Sequence, residues 1–228
     1  MKALIVEDEP QTIEAVSLIF KLRWPEIELL STTKGSEAAP MVEKESPDVV
    51  ILDLGLPDVD GMEVLKEIRA FSNVPLIIVT ARDDSISQVK GLELGADDYI
   101  TKPFDPGVLL VRVKSVLTHT RIPLNQATAP FTAGSLIIDF ASRHVSFQGR
   151  PLDLTPTEYK LFCHLARNAG RVLSHDNILR AVWGEGYEGT DVLRACIYQL
   201  RQKLTRVGAN TEIISVERGI GYKFAVPH

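Results

Sequence analysis

Apolar residues follow two different rhythms along this chain, and the change falls near residue 118. Before it, strand-like segments at Leu4 to Val6, Glu28 to Ser31, Val49 to Leu52, Leu76 to Val79 and Asp98 to Thr101 alternate with stretches of helical spacing. Val49 to Leu52 is apolar at every position, as a strand covered on both faces requires. Ile13, Val16, Ile19 and Phe20 recur at helical spacing after the first segment, and Leu109, Leu110, Val113 and Leu117 after the last. Strands alternating with helices predict an α/β unit over residues 1–118, a doubly wound five-stranded parallel sheet joined by right-handed crossovers.

Residues 119–130 belong to the stretch THTRIPLNQATAP, which is polar, holds two prolines and has no periodicity. They read as a linker in which His119 is an exposed side chain and not a metal ligand. From Phe131 the rhythm is that of short antiparallel strands, Ser135 to Asp139 and His144 to Phe147, with a turn at Gln148-Gly149-Arg150 and Leu152 to Leu154 after it. Thr155, Pro156 and Glu158 then spell a capping box with proline at the first helical position. The helix they start buries Tyr159, Phe162, Cys163 and Leu165, and Ser174 caps a short second one carrying Ile178, Leu179, Val182 and Trp183. Thr190 to Arg206 is the third, with Leu193, Cys196, Ile197, Leu200 and Leu204 on one stripe and Arg194, Tyr198, Arg201 and Thr205 on another. Ile213 to Val216 and Tyr222 to Ala225 alternate like a hairpin around Glu217 to Gly221. Residues 131–228 are therefore expected to form a smaller α+β winged helix-turn-helix domain.

A length of 228 residues allows two such cores. The net charge of -5 hides an asymmetry: residues 1–118 carry 12 basic against 21 acidic side chains, and residues 119–228 carry 13 against 9. Nucleic acid is thus a partner for the second half alone, if its charges converge on one face. No apolar run is long enough to span a bilayer, and MKALIVEDE turns acidic too early for a signal peptide, so a cytoplasmic location away from membranes is expected. Cys163 and Cys196 sit far apart in apolar helical patterns and read as reduced core thiols.

Chemistry gathers at the predicted strand ends. Glu7 and Asp8 follow the first strand, Asp53 the third, Thr80 the fourth, and Lys102 lies just past the fifth. In a parallel sheet these carboxyl ends share one edge, where open α/β sheets place ligands. On its own stretch Asp53 reads equally as a cap for the segment after it, which holds Gly55, Pro57, Asp58 and Gly61; Lys102 alone reads as a surface ion pair and Thr80 alone as a backbone bond. Together they describe clustered carboxylates that need a cation, and hard oxygen ligands suit Mg2+. An aspartate beside a divalent ion, a lysine and a hydroxyl is equipment for phosphoryl transfer onto carboxylate.

Over residues 1–118 this set, with GADDYITKPF from Gly95 to Phe104, resembles the receiver domain of two-component response regulators, a flavodoxin-like fold. The resemblance implies that Asp53 accepts a phosphoryl group from a sensor histidine kinase. It implies Mg2+ held by Asp8, Asp53, the backbone carbonyl of Gly55 and, through water, Glu7. It also implies that Thr80 and Tyr99 move together, the ring turning inward. The alternative enzyme, an aspartate-nucleophile phosphatase of the haloacid-dehalogenase type, needs a second aspartate two residues after the nucleophile, where this chain has Gly55. Slow loss of the phosphoryl group without enzymatic turnover is therefore expected, with Gly55 and Arg82 influencing its lifetime.

Arginine, tyrosine and glutamine over a buried stripe suit major-groove reading, although a solvated charged face would look the same in isolation. The segments LTPTEYKLFCHLARNAGRVLS, LRQKL and GIGYKF resemble the effector domain of the OmpR/PhoB family, which extends the likeness to the whole chain. By that resemblance Arg194, Tyr198, Gln199 and Arg201 face double-stranded DNA from the third helix and Arg218 from the wing, and the loop Gly184 to Gly189 touches RNA polymerase. Homodimers are implied through ion pairs Glu93 with Lys114 and Asp98 with Arg112, while Gln88 and Val108 replace a charged pair usual in the family. The implied function is transcriptional control by phosphorylation-promoted dimerisation on DNA; a DNA binder indifferent to phosphorylation is the other alternative.

Overall fold

The computed structural model describes residues 1–118, 130–184 and 190–225. Most of the expected linker, with His119, and all but Gly184 of the loop Gly184 to Gly189 lie outside the described residues. The chain divides into two compact units, Met1–Leu117 and Thr118–His228.

In the first unit, β1 (Lys2–Val6), β2 (Glu28–Thr32), β3 (Val49–Leu52), β4 (Leu76–Thr80) and β5 (Asp98–Thr101) alternate with α1 (Pro10–Arg23), α2 (Ala38–Glu45), α3 (Gly61–Arg69), α4 (Ser85–Glu93) and α5 (Pro106–Thr118). All strand pairs are parallel, in the order β2-β1-β3-β4-β5. Strand order therefore reverses between β1 and β3, the switch point beside which such sheets bind ligands. Successive strand residues point to opposite faces. Ala3, Ile5, Val49, Ile51, Ile77, Val79 and Ile100 pack with Val16, Ile19 and Phe20 of α1 and Leu109, Val113, Val116 and Leu117 of α5. Leu4, Val50, Leu52 and Ile78, which alternate with them, are also buried, which accounts for the unbroken apolar runs.

Two contacts fix the loops at the two opposite edges of the sheet, the amino edge first and then the carboxyl edge. Arg69 at the end of α3 donates to Asp97 (3.1 Å) and to the carbonyls of Gly95 (2.8 Å) and Val74 (2.7 Å). Asp97 also accepts from the Leu76 backbone N–H (3.0 Å), so one buried ion pair joins the approach to β5 with the start of β4. Gly61 opens α3 against the loop after β3, so close that a Cβ there would lie 2.3 Å from the Asp53 carbonyl oxygen.

The second unit begins with four antiparallel strands, β6 (Phe131–Ala133), β7 (Leu136–Asp139), β8 (His144–Phe147) and β9 (Arg150–Pro151), paired in chain order. The last strand is Arg150–Pro151 and not Leu152 to Leu154: Leu152 makes one more bond to Val145 (2.8 Å) and the chain then turns into the Thr155 cap. Next come α6 (Pro156–Arg167), β10 (Val172–Ser174), α7 (His175–Trp183), α8 (Asp191–Arg206), β11 (Ile214–Glu217) and β12 (Gly221–Phe224), with β12 central in an antiparallel sheet β10-β12-β11. The three helices and the β11–β12 hairpin form a winged helix-turn-helix around Phe162 and Phe224, whose rings meet edge to face at 5.5 Å. The three-residue β10 has no pattern of its own and exists by pairing with β12, and Gly221 permits the approach: a Cβ there would lie 1.9 Å from the Leu173 carbonyl oxygen. No helix among the described residues is long and apolar enough to cross a membrane.

Gly61→Ala is expected to lower the unfolding free energy of the first unit by about 1–3 kcal/mol, because backbone atoms and not a movable side chain block the added methyl. Gly55→Ala, whose Cβ would meet only the Asp53 carboxylate at 3.8 and 3.9 Å, is the comparison and should stay within about 0.5 kcal/mol of the parent in urea unfolding.

Candidate functional site

Backbone bonds hold the strand ends side by side at the carboxyl edge of the parallel sheet. Asp53 N–H donates to the Val6 carbonyl (2.9 Å), Glu7 N–H to Thr32 (3.1 Å) and Lys102 N–H to Thr80 (2.7 Å). Glu7, Asp53 and Thr80 are buried, Lys102 is half-buried and Asp8 is exposed. Lys102 Nζ lies 2.6 Å from Glu7 Oε2 and 2.7 Å from Asp53 Oδ2, so one ammonium serves two buried carboxylates. The other Asp53 oxygen accepts from the Gly55 backbone N–H at 3.0 Å.

Electrostatics separates the two acids. Burial pushes the Asp53 carboxyl up, but hydrogen bonds from Lys102, the Gly55 backbone and the Thr80 hydroxyl outweigh it and hold the group below the usual carboxylate range. Burial raises Glu7, and the Lys102 bond offsets only part of that. Lys102 itself is raised, since its two carboxylates more than compensate for burial. Glu7, Asp8 and Asp53 each offer a carboxylate oxygen, all within 4.8 Å of one another. Three hard, anionic donors with Asp8 facing solvent fit a hard divalent cation.

Tyr99 is turned inward: it is buried, and its hydroxyl donates to the Arg82 carbonyl (2.7 Å). Burial pushes this phenol up to about 12. The Arg82 side chain reaches the other way, to the Leu54 carbonyl (3.1 Å) and the Asp60 carboxylate (3.2 Å). Asp60 also caps α3 through the Met62 N–H (2.9 Å). Arg82 thereby ties the loop after Thr80 to the loop after Asp53. In the sequence Asp60 shows only as a capping type before an apolar helix, so its second bond had no local signal.

The surface residues divide differently from expectation. Asp98 and Arg112, expected to pair between two copies, pair within one chain at 3.2 Å, and the Asp98 side chain is fully buried. Asp98 also accepts from the Tyr99 N–H (2.7 Å), and a side chain holding two internal donors has left the surface. Glu93 on α4 and Lys114 on α5 are exposed, as is Val108; Gln88 is half-buried.

On α8, Leu193, Cys196, Ile197, Leu200 and Leu204 are buried as the stripe required, together with Val192 and Ala195. Arg194 and Tyr198 are exposed, Gln199 is half-buried, and Arg218 is exposed in the wing turn. Arg201 departs from the exposed face assigned to it: it is half-buried and donates to the Ile214 carbonyl of β11 at 2.7 Å. Lys203 also turns inward, 2.6 Å from Glu158, whose same oxygen accepts the capping-box bond from Thr155 N–H (2.8 Å). Two of the four basic side chains of α8 are thus engaged inside the unit.

Residues 3–114 match the family model described as response regulator receiver domain, and residues 149–224 that of transcriptional regulatory protein, C terminal. Transcriptional regulatory protein KdpE of Mycobacterium tuberculosis is 36% identical over 97% of this chain and 97% of its own. Sensory transduction protein RegX3 of Mycolicibacterium smegmatis is 39% identical over 96% and 97%. Among solved structures, the response regulator DrrB, a Thermotoga maritima OmpR/PhoB homologue, is 28% identical over 98% of both chains with a TM-score of 0.51. These relatives are regulators and decide against the aspartate-nucleophile phosphatase. With both family models matched and relatives sharing more than a third of its residues almost end to end, the chain belongs to the OmpR/PhoB-type response regulators, a receiver domain followed by a DNA-binding winged helix.

Proposed function

We propose that Asp53 takes a phosphoryl group from a sensor histidine kinase in the cytoplasm, and that this modification controls how the winged helix engages double-stranded DNA. The observation that carries the reading is the Lys102 ammonium shared between Asp53 and Glu7. A carboxylate held below its usual range is ionised and nucleophilic at neutral pH. As the phosphorus–oxygen bond to Asp53 forms and the bond to the donor imidazole breaks, charge gathers on the equatorial phosphoryl oxygens. Lys102 and the Thr80 hydroxyl, both already drawn to Asp53, are the groups to receive it. Mg2+ at Asp8, Asp53 and the Gly55 carbonyl, with Glu7 acting through water, would supply the remaining positive charge. With glycine two residues after Asp53 no side chain there protonates a leaving group, which favours a persistent phosphoaspartate.

The output is read by Arg194, Tyr198 and Gln199 on α8 and Arg218 on the wing. Two receivers associating through α4, β5 and α5 would raise the effective concentration of the second reader on adjacent half-sites. Glu93 and Lys114 are exposed on α4 and α5; Asp98 and Arg112 would first exchange an internal pair for an external one. Gln88 and Val108 omit one further pair, and since surface pairs contribute about 0–1 kcal/mol the dimer is weakened without being prevented. RNA polymerase is the partner proposed for the loop after Gly184.

Asp53→Asn is expected to abolish labelling by acetyl phosphate and any gain in DNA affinity that the donor gives the parent protein. If the variant shows that same gain, Asp53 is not the control point. Asp8→Asn should weaken Mg2+ binding at least about tenfold in a fluorescence or calorimetric titration, while melting of the metal-free protein is unchanged. Lys102→Met, in metal-free protein, leaves burial opposed by fewer bonds and should raise the Asp53 titration midpoint, read by carboxyl NMR. Because the Asp53 carboxyl is depressed in the parent, its charge stabilises the fold above the unfolded value of about 3.9 and that contribution fades as pH falls through the lower folded value. In the variant the contribution should disappear at a higher pH, visible as unfolding curves against pH.

A further inference from the structure

We propose that Arg201 is a positioning residue that sets the wing against the recognition helix α8, and that it does not itself grip DNA. The inference rests on the DNA-reading surface proposed above, and it separates Arg201 from the stripe mates Arg194 and Tyr198. Those two are exposed, whereas Arg201 lies half-buried with its guanidinium on the Ile214 carbonyl at 2.7 Å. Its Nε has no hydrogen-bond partner among the described residues and essentially no accessible surface. A phosphate oxygen could reach that N–H only by pulling the side chain off the wing. Arg201 also lies near the other wing strand: burial pushes the Tyr222 phenol up, while Arg201 and then Arg194 pull it down.

Ile214 is the first residue of β11, so the bond is made where the hairpin leaves the body of the domain. Arg218 lies four residues further on, about 13 Å away at strand rise. A small rotation at Ile214 is therefore amplified where Arg218 meets DNA. The opposite side of the helix is also held. Lys203, about 200° around the helix from Arg201, pairs with the buried Glu158 of α6, and Leu200 and Leu204, which flank this stretch in sequence, are fully buried. Helix and hairpin are thus braced as one unit, with Arg201 as the part that crosses to the wing.

The test uses the full-length protein and a duplex that it selects from a random-sequence pool. Affinity is measured against salt concentration for the parent, Arg201→Met, Arg218→Ala and the double variant. Methionine keeps the apolar stem and removes the donors; if its melting midpoint falls, Arg201→Gln, which keeps an N–H donor for the Ile214 carbonyl but carries no charge, takes its place with the slope as the deciding readout. The expectation for Arg201→Met is a loss of about tenfold in affinity with an unchanged slope of log affinity against log salt, since no counterion-releasing contact is removed. Arg218→Ala should lower that slope by about one. In the Arg201→Met background Arg218→Ala should cost much less than it does in the parent, because the wing no longer delivers it. A slope lowered by about one in Arg201→Met or Arg201→Gln, or, in Arg201→Met, additive losses or unaltered binding, would each overturn the proposal. A parent protein that selects no sequence would instead overturn the DNA-reading surface on which it rests.

Discussion

The Lys102 ammonium stands between Glu7 and Asp53, and the carboxyl edge of the receiver depends on it. Two carboxylates buried side by side repel each other and lose solvation, a cost that grows as the local dielectric falls. A cation at 2.6 and 2.7 Å makes the arrangement tenable and leaves the acids unequal, Asp53 ionised and Glu7 raised. The parallel sheet makes this possible, because residues nearly a hundred positions apart reach the same edge only when their strands run the same way. The backbone bonds from Asp53 to Val6 and from Lys102 to Thr80 carry that alignment to the last residue of each strand.

From this edge the arrangement extends outward through Arg82. Its carbonyl holds the Tyr99 hydroxyl inside, and its guanidinium holds Leu54 and Asp60 on the neighbouring loop. The inward ring and the loop beside Asp53 are consequently attached to the same residue. The loop after β4 is bonded both to Tyr99 and to the loop beside Asp53, a route of contacts that runs from the sheet edge to β5. The Asp98–Arg112 pair sits on that route, since Asp98 also accepts from the backbone of Tyr99.

The winged helix solves a different problem, keeping two separate elements in fixed relation with little sheet between them. Glu158 closes its own capping box and neutralises Lys203, so the carboxylate that starts α6 also holds α8. Arg201 does the corresponding work toward β11. Using two cations internally leaves fewer for phosphate, consistent with an uncharged tyrosine and glutamine at the centre of the exposed face.

The fold class was legible because its signals are local or periodic. Val49 to Leu52 must be covered on both faces, Thr155 to Glu158 closes a box within one turn, and the α8 stripe repeats every three or four residues. The cluster at the sheet edge was legible because topology alone brings strand ends together, so Glu7, Asp8, Asp53, Thr80 and Lys102 needed only a parallel sheet to meet. The partners of long polar side chains were mostly not legible. Arg201 and Arg82 each find theirs 13 to 28 residues away, on another element, whereas for Arg112 the partner Asp98 was legible but not that the pair closes within one chain. Helical spacing placed Arg201 on the outer stripe, and a guanidinium on a flexible stem is long enough to leave it. β10 and the close approach at Gly221 exist only because β12 lies against them. The sequence by itself determined which residues line the sheet edge and the helix faces; the tertiary structure decided which charges face outward, because a charge takes the nearest acceptor in space and that distance is set by packing.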